Sequence, residues 1–269
     1  MVAVSHPYCI HLRHAHDASL DRLVELGAID VDLSPDGGID ALMPGSVTLE
    51  HVANALGRAE MAIAPAISRD AGSVWILRPR AFRVGRLLIA PADADAQPGA
   101  VRLLDTPAFG TGLHPSTALC LELLNDIADT DAPDRVLDVG TGSGILALAA
   151  VTLGIAHATA IDIDEAAVRV AGANARLNGL SDRVNLTHGG PDTLTGTWPL
   201  VLANVLAAPL IEMAPVLVRR LGHRGRLILS GIGCSLEDDV ARAYRRLGLH
   251  VVSTSSRDGW VALLLHASW

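Results

Sequence analysis

The chain has 269 residues, half of them hydrophobic and 19% charged, and a formal charge of −8 with no lysine, so its fixed positive charge is all arginine. That is enough length for one large or two small domains with a real core. The composition excludes a disordered chain, makes non-specific nucleic-acid binding a poor fit and suits a basic partner better.

Met1–Pro7 lacks the basic start and apolar core of a signal peptide. The first elements then read β-α-β-β-α-β. A strand at about 2–12 precedes a helix at Ser19–Leu26, whose Leu20, Leu23, Val24 and Leu26 form one apolar face. Ile29–Leu33 and Ile39–Met43 read as a hairpin around Ser34-Pro-Asp-Gly-Gly38, and a helix at Thr48–Leu56 and a strand at about 60–68 follow. Residues 1–69 are therefore expected to form a small α+β ferredoxin-like domain, a fold that assigns no function by itself. His11, His14 and His16 do not converge on a strand, because 14 and 16 share one face and 11 the other. No metal site is expected there. Cys9, Cys120 and Cys234 are isolated, so neither a disulfide framework nor a CxxC metal site is available, and a reducing, cytoplasmic setting is expected.

Residues 70–104 read as a connector with short strands at Ser73–Leu77 and Arg83–Ala90 and a loop at Pro91–Gly99, where a hinge is expected. Residues 105–269 read as an α/β domain. It begins with Phe109-Gly-Thr-Gly-Leu-His-Pro-Ser-Thr117, a glycine-rich approach to a helix that Ser or Thr is suited to cap. The same stretch can place the Thr111 and Thr117 hydroxyls and the apolar face of Phe109 against a ligand.

The centre of the chain is Val136-Leu-Asp-Val-Gly140-Thr-Gly142-Ser-Gly144-Ile145, followed by Ala160-Ile-Asp162-Ile-Asp164. This is strand, glycine loop, helix, strand. Glycines let the backbone turn sharply and approach a ligand, which in an open α/β sheet lies beyond the carboxyl ends of the strands. Asp162, twenty residues past Gly142, stands where a carboxylate accepts from ribose hydroxyls. The spacing is GxGxG rather than GxGxxG, and Asp138 would repel a pyrophosphate but suits an ammonium group. Both features favour S-adenosyl-L-methionine over a dinucleotide.

Glu165–Leu177 then reads as an amphipathic helix, Val184–Thr187 as a strand, and Trp198–Asn204 as a buried strand that ends in one polar residue facing the ligand. A helix at Pro209–Leu221, a strand at Arg226–Ser230, a helix at Ser235–Leu247 and an antiparallel pair, His250–Thr254 with Trp260–His266, close the chain. The apolar stretches at 145–161 and 201–218 are interrupted by polar residues, so no membrane span is expected.

From about Val84 to Leu265 the chain resembles the ribosomal protein L-eleven (L11) methyltransferase family, PrmA. The resemblance is carried by Phe109–Leu121, Asp138–Ala147, Ile161–Asp164 and Ala203-Asn-Val-Leu-Ala-Ala-Pro-Leu210. It implies a class I methyltransferase fold, Rossmann-like with a seven-stranded mixed sheet, behind a small N-terminal substrate-recognition domain. It also implies transfer of methyl from S-adenosyl-L-methionine to lysine or N-terminal amines of ribosomal protein L11, without metal, nucleic-acid readout or membrane, by a cytoplasmic enzyme expected to be a monomer. The family's cofactor residues correspond to Thr117, Gly140, Gly142, Asp162 and Asn204, with Phe109 and Thr111 nearby, and Asn204 is the expected catalytic residue. Two departures are Leu104-Asp-Thr-Pro107 in place of an Asp-Pro-Gly turn and Thr141 in place of a cysteine.

Overall fold

Val136, Leu137 and Val139, and Leu200–Ala203, put apolar side chains on both strand faces, as parallel strands covered on both sides must. In the computed structural model they lie side by side at the centre of a seven-stranded sheet. The structure describes residues 6–13, 17–33, 38–57, 61–66, 68–69, 74–75, 81–95, 97–105 and 112–269. The chain divides into two compact units, Met1–Pro79 and Arg80–Trp269.

The smaller unit runs β1 (Tyr8–Leu12), α1 (Asp17–Glu25), β2 (Asp30–Leu33), β3 (Ile39–Met43), α2 (Leu49–Ala55) and β4 (Met61–Pro65). The four strands pair antiparallel in the order β2-β3-β1-β4, the ferredoxin-like arrangement that the sequence predicts. Tyr8, Ile10 and Leu12 alternate toward the helices and pack with Ile39, Ala41 and Met43 against Leu23 and Val52. His11 lies on the opposite face and bonds Asp40 across the strand pair at 2.7 Å. His14 and His16, like the turn at 34–37, lie outside the described residues. A short antiparallel pair follows, β5 (Ser68–Arg69) with β6 (Val74–Trp75).

The larger unit opens with a three-stranded sheet of β7 (Phe82–Val84), β8 (Leu87–Pro91) and β9 (Ala100–Leu103). Val84, Leu87, Ile89, Val101 and Leu103 are buried in the same core as α3 (Pro115–Asp131) and α4 (Ile145–Thr152), so these strands belong to this unit. The main sheet consists of β10 (Arg135–Val139), β11 (His157–Asp162), β12 (Val184–His188), β13 (Trp198–Asn204), β14 (Leu221–Gly233), β15 (Leu249–Arg257) and β16 (Trp260–Ala267). Between them run α5 (Glu165–Leu177), α6 (Ala207–Arg220) and α7 (Glu237–Arg245).

The strand order is β12-β11-β10-β13-β14-β16-β15, parallel through β14 and antiparallel on both sides of β16. Val136, Ala158, Ala160, Leu200 and Leu202 face the α3 and α4 side, while Leu137, Val139, Ile161, Val201 and Ala203 face α6 and α7. Strand alternation thus fills two cores with one sheet.

Several boundaries differ from the sequence reading, among them the following. β14 begins at Leu221, because Leu221 pairs with Trp198 despite the nearby Gly222 and Gly225. The helix expected from Ser235 starts as a 3-10 turn at Cys234–Leu236. The last hairpin turns on two residues alone, Asp258 and Gly259, both at left-handed φ (47° and 82°), which matches the twist of the flanking strands. No helix among the described residues is long and apolar enough to cross a membrane.

Candidate ligand site at the switch point of the sheet

The strand order reverses direction between β10 and β13, and the carboxyl ends of these two strands and of β11 carry the polar residues singled out above. Register makes Val139 the partner of both Ile161 and Ala203, so Asp138, Asp162 and Asn204 sit at the same end of three adjacent strands.

The glycine loop turns away from β10 with Gly140, Gly142 and Gly144 all at left-handed φ (72°, 55° and 85°). A Cβ on Gly140 would lie 2.5 Å from Val205 Cγ1, and one on Gly144 would lie 3.0 Å from the Ala171 Cβ. Glycine is therefore required here by conformation and by space together. Asp162 holds the loop closed: its Oδ2 accepts from the Gly142 N–H and its Oδ1 from the Asp164 N–H, each at 2.9 Å. A carboxylate oxygen has a second lone pair, so both oxygens retain acceptor capacity for a ligand hydroxyl.

Asp138 is fully buried. Its Oδ2 accepts from the Thr141 hydroxyl at 2.6 Å and from the Ala147 N–H at 3.2 Å, while its Oδ1 has no partner. Burial is the main cause that pushes its pKa up to about 6; the two hydrogen bonds oppose the rise and the Asp162 charge adds to it. An unpartnered buried carboxylate oxygen is costly. A cationic ligand group beside it would remove that cost.

Asn204 ends β13 and is 8% exposed. Its Nδ2 donates to Thr117 Oγ1 at 3.1 Å, and its Oδ1 is buried without a partner. Two residues that the sequence separates by 87 positions thus form one unit. Thr117 is fully buried near the start of α3. The cap of that helix is His114 rather than the expected Ser or Thr: its Nδ1 accepts from the Ser116 N–H at 3.2 Å and contacts Ser116 Oγ at 2.7 Å. The Thr117 hydroxyl is thereby left to Asn204.

Of the sequence-predicted site residues, Thr117 and Asn204 are joined directly, and Gly140, Gly142 and Asp162 form the neighbouring loop. Phe109 and Thr111 lie outside the described residues. Sequence reasoning considered only the backbone carbonyl of Val205, as an acceptor for the amine, and missed that its side chain occupies the space a Gly140 Cβ would need and its carbonyl that of a Gly231 Cβ. It also passed over Asn174, which is fully buried and donates to the Ser143 carbonyl in the loop at 2.8 Å. The glycines were the available signal: φ of 81° at Gly231 marks a place where backbone approaches backbone. Among the described residues, no group of three or more His, Cys, Asp or Glu is placed to hold a metal ion.

Residues 69–268 match the family model "Ribosomal protein L11 methyltransferase (PrmA)". A ribosomal protein L11 methyltransferase of Chromohalobacter salexigens is 44% identical over 200 residues, covering 72% of this chain and 66% of the relative. One from Myxococcus xanthus is 37% identical over 218 residues, covering 80% and 75%. The chain thus spans just under two thirds of the length of the first of these. The crystal structure of a ribosomal protein L11 methylase from Lactobacillus delbrueckii subsp. bulgaricus superposes with a TM-score of 0.65 at 30% identity, over 71% of this chain and all of the other.

Proposed function

The chain belongs to the ribosomal protein L11 methyltransferase (PrmA) family, and from that premise we propose that it transfers methyl from S-adenosyl-L-methionine to amines of ribosomal protein L11. The amines are lysine ε-amines, the N-terminal amine or both, and the enzyme works as a cytoplasmic monomer without a metal. The observation that carries this reading is the pair of buried, unpartnered oxygens, Asp138 Oδ1 and Asn204 Oδ1, at the ends of neighbouring strands. One suits a fixed cation and the other suits an N–H donor.

The residues present fit the methyl donor. Asp138 would hold its ammonium group, Asp162 its ribose hydroxyls, and the Gly140–Gly144 loop, free of side chains at its three left-handed glycines, would lie against it. Thr117 borders the same end of the sheet through Asn204, and the family resemblance adds Phe109 and Thr111 as further residues for the donor. When bound, S-adenosyl-L-methionine supplies a sulfonium-activated methyl group.

The protein's own task is to present a neutral amine in line with that methyl. A lysine with a pKa of about 10.4 is neutral about once in a few thousand molecules at pH 7, a penalty of roughly 4–5 kcal/mol. Desolvation at the strand ends favours the neutral form. The Asn204 Oδ1 accepts an N–H of the amine, while the contact with Thr117 holds the amide group in place. The amine's lone pair is then aimed and its rotation limited, a contribution of orientation rather than of acid–base chemistry.

The test is incubation with methyl-labelled S-adenosyl-L-methionine and purified ribosomal protein L11, followed by peptide mapping of the label. The expected result is label on lysine or N-terminal amines. Label that appears only on another protein of a ribosomal-protein mixture would overturn the substrate assignment and leave the chemistry standing.

A further inference from the structure

Asn174 on α5 and Asn178, which caps its C-terminus, stand one turn apart and treat the end of β9 as a neighbouring strand would. Asn174 Oδ1 accepts from the Leu104 N–H at 2.9 Å. Asn178 Oδ1 accepts from the Arg102 N–H at 2.8 Å, and its Nδ2 donates to the Arg102 carbonyl at 2.7 Å. The spacings agree, because four helical residues rise about 6 Å and two strand residues about 6.6 Å. Arg102 returns the contact by donating to the Leu177 carbonyl at 2.9 Å.

Asn174 differs from Asn178 in one respect. Its Nδ2 donates to Ser143, inside the glycine loop, at 2.8 Å. Ala171, three residues earlier on the same helix, is the residue that a Gly144 Cβ would strike. α5 therefore supports the loop at two successive points, and one buried amide links the Ser143 carbonyl to the Leu104 backbone. Leu104 leads in sequence to the Phe109–Thr117 stretch.

We infer that Asn174 is a positioning residue for the methyl-donor site, setting the glycine loop and the Leu104 backbone at the end of β9 against each other through a single side chain. This rests on the reading of the loop as the binding site for S-adenosyl-L-methionine. Asn178 holds β9 and the Asn174 carbonyl but does not bond the glycine loop.

Three variants separate these roles. Asn174→Asp keeps the acceptor for Leu104 but sets an oxygen against the Ser143 carbonyl. Asn174→Leu removes both bonds. Asn178→Ala strips only the contacts to β9 and the helix. Calorimetric Kd for S-adenosyl-L-methionine, KM and kcat with ribosomal protein L11, and Tm are measured for each.

Asn174→Asp is expected to raise the Kd and the donor's KM at least about tenfold, with kcat for L11 much less affected. Asn178→Ala is expected to leave the Kd within about twofold while lowering Tm as much. If Asn174→Asp and Asn178→Ala weaken binding equally and in step with Tm, Asn174 is merely structural and the inference is overturned. Should Asn174→Leu not fold, the Asp variant decides. A wild-type protein that binds no S-adenosyl-L-methionine defeats the functional reading itself, an outcome distinct from the first.

Discussion

Replacing Asp138 with Asn should separate stability from ligand binding, because the unliganded protein carries a buried charge that only a cation relieves. The carboxyl is fully buried, with its pKa raised from 3.8 to about 6. A difference of about two pKa units corresponds to roughly 3 kcal/mol. The sign follows from proton binding. The native state holds this proton up to about pH 6 and the unfolded state only up to about pH 4, so stability falls as pH rises through that window and the full penalty is present above it.

Asn is neutral throughout. Its Oδ1 can replace the Asp138 Oδ2 as acceptor for the Thr141 hydroxyl and Ala147 N–H, at the cost of an unpartnered N–H where the Asp138 Oδ1 now lies. The wild-type minus variant difference in unfolding free energy should therefore drop by about 2.5 kcal/mol between pH 4 and pH 7, with all other carboxylates cancelling. Urea unfolding followed by tryptophan fluorescence suits the measurement, since Trp198, Trp260 and Trp269 lie in the larger unit. In parallel, the variant should lose affinity for S-adenosyl-L-methionine, and wild-type affinity should fall below about pH 6 as Asp138 takes up its proton. A difference that does not change with pH would refute the reasoning, whatever its size.

Other substitutions test single contacts. Gly140→Ala places a Cβ 2.5 Å from Val205 Cγ1 at a φ of 72° and should cost about 2–4 kcal/mol of stability, with loss of donor binding by calorimetry. Thr117→Val removes the partner of the Asn204 amide and should lower kcat for L11 about tenfold. Tyr244→Phe deletes the buried hydrogen bond to the Leu210 carbonyl, 2.8 Å long, and should cost about 1–2 kcal/mol in urea unfolding while leaving methyl transfer unchanged.

Much of the site was legible because its residues occupy fixed places in a repeating pattern. An apolar run ending in a polar residue marks the carboxyl end of a buried strand, and Asp138, Asp162 and Asn204 each fit that description. Three glycines at alternate positions announced a loop with left-handed backbone, which the φ values of Gly140, Gly142 and Gly144 bear out. The resemblance to the PrmA family rested on motifs that the family match at residues 69–268 includes.

Long-range pairings were not legible. The Asn204–Thr117 bond joins residues 87 apart, and no local rule says which hydroxyl an amide will find. Ser and Thr were the expected caps of α3, yet His114 takes that role because an imidazole nitrogen can accept the same N–H. The burial of β7, β8 and β9 in the core of the larger unit depends on how Val84, Leu87, Ile89, Val101 and Leu103 meet helices found later in the chain. Alternation along each strand is visible in the sequence, but the partner it faces is not.

The most direct test of the account is intact-mass analysis of ribosomal protein L11 after incubation with this protein and S-adenosyl-L-methionine, with Asn204→Ala in parallel. The account predicts successive methyl increments on L11 with the wild-type protein, and a rate lower by about 10²-fold or more with the variant. An L11 that gains no methyl from a wild-type protein shown to bind S-adenosyl-L-methionine would contradict the proposed reaction, and equal rates for the two proteins would remove Asn204 from it.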